Sequence, residues 1–402
     1  MIKGMDISTL LEEEQCGAKY YDNGVSKDLF EILKDRGVNS VRLRLWNNPF
    51  DEKGNPYGAG TNDFEKVILL ARRAKEAGMS WLLDFHYSDF WADPGKQIVP
   101  KEWKDLSAHD LAKAVYEYTK KILTVLKKMK LEPFMVQVGN EITNGLLWPL
   151  GNRSYDKRTK EYNYDSLYFN PDLTMILNAG ITAVREILPD AKVMLHLDNG
   201  GNHQLYLDWF DGFIRTGGKD FDVIGLSYYP FWHGTMSMLK ENMDDIAVRY
   251  QKDLYVDEVS MGYTMEDYSS YEGLNPEDRK GYATKQELVD KLEYPMTKEG
   301  QLRFMQDVIK VIENVPENRG KGFYYWEPAW IPVKGCGWAT EAALKYTGEE
   351  GPGGNEWANQ ALFDYDGNVL PALDYLKTLR DGGESSFSAS HNTKECIGTL
   401  QY

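Results

Sequence analysis

Cysteine is scarce in this sequence. Cys16, Cys336 and Cys396 are its three cysteines in 402 residues, too few and too scattered for a disulfide framework or a zinc cluster. At most one pair could form, and all three are read as structurally incidental. Positive charge is also short: 46 Lys and Arg stand against 62 Asp and Glu, a formal net charge of −16. That balance excludes nucleic acid and anionic membrane as partners and disfavours a polyanionic substrate, which leaves a neutral ligand. No apolar run approaches the roughly 20 residues of a membrane-spanning helix, so no membrane insertion is expected. A signal peptide is not visible either, because Met1-Ile2-Lys3-Gly4-Met5-Asp6 leads straight into a strand-like segment. Nor does a Gly-rich phosphate turn follow that segment; the chain reads Asp6-Ile7-Ser8-Thr9, which argues against the doubly wound nucleotide-binding fold.

Aromatic residues, by contrast, are plentiful, with 11 Trp and 26 Tyr. Short β-branched or aromatic runs, many ending in polar residues, predict strands at 3–7, 40–46, 81–87, 134–141, 192–198, 223–229, 254–259 and 322–327. Helical periodicity predicts helices at 27–36, 64–77, 108–129, 173–188, 204–213, 236–250, 299–314 and 371–379, several closed by Gly or preceded by Pro. Strict strand–helix alternation implies parallel strands joined by right-handed crossovers. Eight such units in this length predict an α/β fold, a (β/α)8 TIM barrel forming one domain over 1–380 with long βα-loop insertions. The Gly-, Ser- and Asn-rich tail, 381–402, is expected to wrap or fray.

Active sites of such barrels lie where the strands end in their C-terminal loops, so polar strand ends become candidates. The fourth segment closes on Asn140-Glu141 and the seventh on Asp257-Glu258. Side chains alternate along a strand, so one of Asp257 and Glu258 is expected to face the axis. A carboxyl pair of this kind suits retaining glycoside hydrolysis, which needs a nucleophile and an acid/base about 5–5.5 Å apart. Arg44 is expected to hold the nucleophilic carboxylate charged, Tyr228 to donate to it, and Asn140 to bind the sugar 2-hydroxyl. His86, His196 and Asp198 end further strands; Asp89, Asn199 and Trp232 lie just beyond strand ends and complete the substrate-contact set. Nine tryptophans (46, 91, 103, 148, 232, 326, 330, 338 and 357) fall at strand C-ends or in the segments beyond them. Sugar C–H faces stack on such rings, and Trp91, Trp326 and Trp330 are the preferred platforms.

The chain resembles glycoside hydrolase family 53, the endo-β-1,4-galactanases. The resemblance rests on Lys3-Gly4-Met5-Asp6-Ile7-Ser8, Val41-Arg42-Leu43-Arg44-Leu45-Trp46-Asn47, the stretch from Asp84 to Pro94 reading Asp-Phe-His-Tyr-Ser-Asp-Phe-Trp-Ala-Asp-Pro, Gln137-Val138-Gly139-Asn140-Glu141, and Tyr324-Tyr325-Trp326-Glu327-Pro328-Ala329-Trp330. It implies a retaining barrel with Glu141 as acid/base, Glu258 as nucleophile and neutral β-1,4-galactan, a pectin side chain, as the substrate cut internally. Related activities (β-1,4-mannanase, cellulase) and a non-catalytic carbohydrate-binding barrel are the competing readings. Bacterial members often carry calcium in the loop after strand seven. Here that loop keeps Asp267 but lacks the remaining Asp, His and Asn run. No cofactor is therefore expected to be required, a structural calcium is left as the lesser alternative, and Asp364-Tyr365-Asp366-Gly367-Asn368 is read as a turn. A galactan polymer is too large for ordinary import, so action outside the cytoplasm, as a monomer, is expected.

Overall fold

The computed structural model describes residues 1–165, 167–266, 285–349, 354–355 and 357–379. Asp267, Cys396 and the 381–402 tail lie outside the described residues. Eight parallel strands close into a barrel: β1 (Ile2–Asp6), β2 (Ser40–Leu45), β3 (Ser80–Phe85), β4 (Met135–Val138), β5 (Lys192–Leu197), β6 (Val223–Tyr228), β7 (Asp253–Val259) and β8 (Gly320–Trp326). Each pairs with the next, and β1 pairs with both β2 and β8. The helices that follow them in turn are α1 (Leu29–Asp35), α2 (Phe64–Ala77), α3 (Ala108–Lys128), α4 (Pro171–Ile187), α5 (His203–Arg215), α6 (Met236–Tyr250), α7 (Lys298–Glu313) and α8 (Pro371–Tyr375). The expected (β/α)8 barrel is the observed fold.

Local chemistry explains the boundaries. Asp63, Ser107 and Thr297 cap α2, α3 and α7 by accepting the N–H of the third residue on. Gly78, with φ +76°, ends α2 in the left-handed conformation. Strand β4 stops at Val138, three residues earlier than expected, because Gly139 (φ +87°) turns the chain out of the sheet. A Cβ at Gly139 would sit 2.6 Å from Ile142 Cγ2. The short helical segment Leu10–Gln15, the hairpin Tyr20–Asp22 with Val25–Lys27, and the helical segment Glu341–Thr347 were not expected. They sit in βα loops and are too short for periodicity to register. The 364–368 segment is the turn expected: Asp364 Oδ1 accepts the N–H groups of Asp366 and Asn368. Cys16 and Cys336 are free thiols, and among the described residues no helix is long and apolar enough to cross a membrane.

The barrel interior is layered. Leu82, Met135, Met194, Val223, Tyr255 and Tyr324 form an apolar plug, a cluster separate from the larger core between strands and helices. Gly4 makes room for it: a Cβ there would lie 2.3 Å from the Tyr324 ring. Above the plug most inward positions are buried and polar, among them Asp6, Arg42, Asp84, Gln137, His196 and Ser227, which is the condition for a site at the C-terminal mouth. Leu82→Ala should cost about 2–5 kcal/mol in chemical unfolding. Leu69→Ala, at a position 49% exposed, should stay within about 0.5 kcal/mol of the parent. Equal effects would contradict the plug's role.

Candidate active site

Arg42 and Arg44 point inward from β2, on the alternating face that Ser40 shares. Arg42 is 0% exposed, so its charge needs buried partners. It has four carboxylates: Asp6 at 2.8 Å, Asp84 at 3.0 Å, Asp257 at 3.1 Å and Glu258 at 2.9 Å. Its Nη2 also donates to Asn140 Oδ1 at 2.7 Å and its Nε to Gln137 Oε1 at 3.1 Å. Arg44, one layer higher, pairs with Asp6 (3.0 Å) and Glu327 (2.7 Å).

Two expectations are corrected here. The arginine that touches Glu258 is Arg42, not Arg44, because Arg44 is held by Glu327 and stands over the Trp91 and Trp326 rings at 4.7 and 5.6 Å. Asp257 and Glu258 do not alternate either, since both reach Arg42. Strand β7 carries one extra residue there: Leu226 pairs with Val256, but Ser227 pairs with Glu258. A bulge of this kind breaks the two-residue repeat and re-aims a side chain.

Glu258 Oε2 accepts from the Tyr229 hydroxyl at 2.7 Å. Tyr228, expected in that role, faces outward, donates to Gly234 O and stacks on Phe304. Ser227 already takes the inward position, so alternation sends Tyr228 out and Tyr229 in. Glu141, in the left-handed conformation (φ +46°), follows β4. Its Oε1 accepts from Ser227 Oγ at 2.7 Å, and Ser227 faces His196 Nε2 at 2.9 Å. Since the Ser227 hydroxyl donates to Glu141, its oxygen accepts from His196 Nε2–H. The other His196 nitrogen then accepts the Glu141 backbone N–H. Burial, reinforced by Arg42, holds His196 well below the usual histidine range, hence neutral.

The two carboxyls differ in what opposes their burial. Burial first, then the nearby charges of Glu258 and Asp198, raise Glu141 well above the usual carboxylate range, with only the Ser227 hydrogen bond against them. Burial raises Glu258 too, but the Arg42 guanidinium and the Tyr229 hydroxyl favour its charged form. Of the two, Glu141 is the carboxyl that favours its protonated form more strongly. Two arginines among Asp6, Asp84, Asp257, Glu258 and Glu327 leave an excess of negative charge, and burial pushes Asp257 up to about 8 and Glu327 up to about 7.

Both glutamates line a cavity of about 550 Å³ at the mouth of the barrel. Of the other expected residues, Arg44, His86, Trp91, Asn140, Asp198, Trp232 and Trp326 line it as well. Asn140 does so with its amide engaged: Oδ1 takes Arg42 and Nδ2 donates to Ala92 O. His196 lies beneath the floor. Asp89 does not reach the cavity, being held by the backbone N–H groups of Asn48 and Lys101. Asn199 is turned to a neighbouring pocket and donates to Asp198. Trp330 is fully buried and stacks behind Trp338 (6.1 Å), so it is no platform. Trp338 and Trp357 stand on the wall instead, Trp338 stacked on Trp91 at 4.5 Å. His233, Asp93, Lys96 and Glu349 also line the cavity and were not anticipated. They come from loops, where no periodicity points inward; burial lowers His233 to about 4, leaving it neutral. Among the described residues, no group of three or more His, Cys, Asp or Glu side chains could hold a metal ion.

Known proteins resemble this chain along almost its whole length. Residues 2–376 match the model of Glycosyl hydrolase family 53. An endo-β-1,4-galactanase of Bacillus subtilis (strain 168) is 37% identical over 400 residues, covering 95% of this chain and 86% of that protein. An arabinogalactan endo-β-1,4-galactanase of Thermothelomyces thermophilus is 33% identical, covering 94% and 99%. Among solved structures, the GH53 catalytic domain of Ignisphaera aggregans superposes with a TM-score of 0.81 at 38% identity, covering 93% of this chain and 95% of that one.

The protonated Asp257 has a measurable consequence. The unfolded chain ionises it near 3.8, whereas the fold keeps it protonated up to about 8. Between those values the native state binds the extra proton, so its contribution to stability falls as pH rises. Asp257→Asn should make the decline of the unfolding midpoint from pH 4 to 8 shallower than in the parent. An unchanged slope would mean Asp257 is ionised in the fold.

Proposed function

The chain belongs to glycosyl hydrolase family 53, and we propose that it cleaves β-1,4-galactosidic bonds within galactan and type I arabinogalactan by double displacement. The observation that carries this reading is the pairing of Glu141 and Glu258 in one tryptophan-lined cavity, each with the partners its task requires. Glu258, charge-paired to Arg42 and hydrogen-bonded by Tyr229, is the nucleophile. Its carboxylate attacks C1 of the sugar, and the C1–O4 bond breaks as Glu141 passes its proton to the departing oxygen. In the second step Glu141, now ionised, takes a proton from water. The water oxygen bonds to C1 and the Glu258 ester is released with retained configuration. Trp91, Trp326, Trp338 and Trp357 supply stacking surface for the sugar rings. A cavity walled by indoles, in a chain of net charge −16, suits a neutral polysaccharide. Asn140 orients the site and Arg44 buttresses Trp91. The chain acts as a monomer, without a required cofactor, outside the cytoplasm, where a galactan too large for import is found.

Release of reducing ends from linear galactan, mannan and carboxymethyl-cellulose tests the substrate. Galactan should be preferred strongly, and mannan activity without galactan activity would overturn the reading. Azide separates the two glutamates. Glu258→Ala and Glu141→Ala should each lose roughly 10²–10⁴-fold or more in kcat on an aryl galactoside. With azide, Glu258→Ala should yield the α-galactosyl azide and Glu141→Ala the β-anomer. Swapped anomers would exchange the roles.

A further inference from the structure

A second cavity of about 520 Å³ lies beside the first, between the loops that follow β3 and β4 and the start of α3. Trp103, Trp148 and Leu111 give it apolar walls, and Lys96, Gln97 and Lys104 give it polar ones. This mixture of aromatic surface with a few polar groups is the composition of a small-molecule or sugar site. Lys96 lines both cavities. What separates them is one tight turn, in which the backbones of Asp93 and Lys96 bond each other at 2.8 and 3.1 Å.

The walls are tied to the catalytic loops. Trp148 donates its backbone N–H to Gln97 O at 2.8 Å and its indole N–H to Asn144 O at 3.0 Å. Asn144 in turn donates to Pro94 O at 2.9 Å, on the dividing turn. Gln97, 1% exposed, donates to the backbone oxygen of Asn140, the residue before Glu141, at 2.8 Å.

We propose that this second cavity is a remote subsite, holding the galactan chain some rings beyond the bond being cut. The occupant follows from continuity: a polysaccharide leaving the first cavity past Lys96 meets the second directly. The inference rests on the galactanase reading above. Because the Trp148 backbone is fixed to Gln97, the ring is held in place before substrate arrives, so little ordering cost opposes its contact.

Two variants test it. Trp148→Ala removes the aromatic wall, and Val99→Arg places a long charged side chain at a half-buried position in the same lining without removing a ring. Both should raise KM for long galactan about fivefold or more, the loss of one stacking contact, with kcat little changed. Kinetics on the shortest galacto-oligosaccharide cleaved, which cannot span both cavities, should match the parent. Should Trp148→Ala fail to fold, Val99→Arg alone carries the test. Variants whose KM for the polymer stays within twofold of the parent, or which impair short and long substrates equally, overturn the subsite while leaving the galactanase reading intact. A parent enzyme inactive on galactan overturns both.

Discussion

One buried guanidinium organises this molecule. Arg42 sits where the apolar plug of the barrel gives way to polar layers, and four carboxylates from β1, β3 and β7 converge on it. A lone cation in that place would be prohibitively expensive, and so would the carboxylates without it. Breaking the group by removing one member leaves uncompensated buried charge. The strands that must close the barrel therefore also carry the carboxyls proposed to react, and fold and site share a single electrostatic constraint. The arrangement is also unbalanced, with more carboxyls than cations. Burial first, and the surplus of neighbouring carboxyls after it, keeps protons on Asp257 and Glu141 at pH values where exposed carboxyls have lost them.

Around this core the chain accepts strain where it is useful. Tyr87, Glu141, Asn199 and Glu327, four non-glycine residues just past strand ends, adopt positive φ. Each such residue costs on the order of 1–2 kcal/mol and persists only where its surroundings over-determine it. Here the surroundings are hydrogen bonds and ion pairs: Glu141 donates its N–H to His196, and the Glu327 carboxylate accepts from Thr9 and Arg44. The tryptophan wall is fixed in the same manner, by stacking among Trp91, Trp338 and Trp330 and by the Arg44 guanidinium over Trp91. A neutral sugar then meets surfaces already in position, which limits the ordering cost of binding.

Much of this was legible in the sequence. Eight apolar runs alternating with amphipathic ones carry the barrel, because burial on both faces of a parallel sheet leaves no other pattern. Two glutamates at strand ends could be read as a pair for the same reason. The errors have definite physical sources. Arg42 and Arg44 share a face, and the sequence does not say which layer each occupies; depth depends on how the strands stagger. Strict alternation puts only one of Asp257 and Glu258 on the axis, and the bulge in β7 breaks that alternation. Tyr228 and Tyr229 are one residue apart, and a single step of phase exchanges the cavity for the outer core. Trp330 followed a strand end like its neighbours, yet loop packing buried it and brought Trp338 and Trp357 forward. Residues such as His233, Lys96 and Glu349 come from loops, whose course is set by tertiary contacts.

In the proposed mechanism Arg42 and Tyr229 hold Glu258 ionised and poised to attack, while Glu141 keeps the proton. The most direct measurement is to trap the covalent intermediate with an activated 2-deoxy-2-fluoro-galactoside and locate the label by mass spectrometry of peptides. The expected result is one sugar per chain, esterified to Glu258, with no label at the adjacent Asp257. Label on Asp257 or Glu141, or inactivation with no covalent adduct, would contradict it.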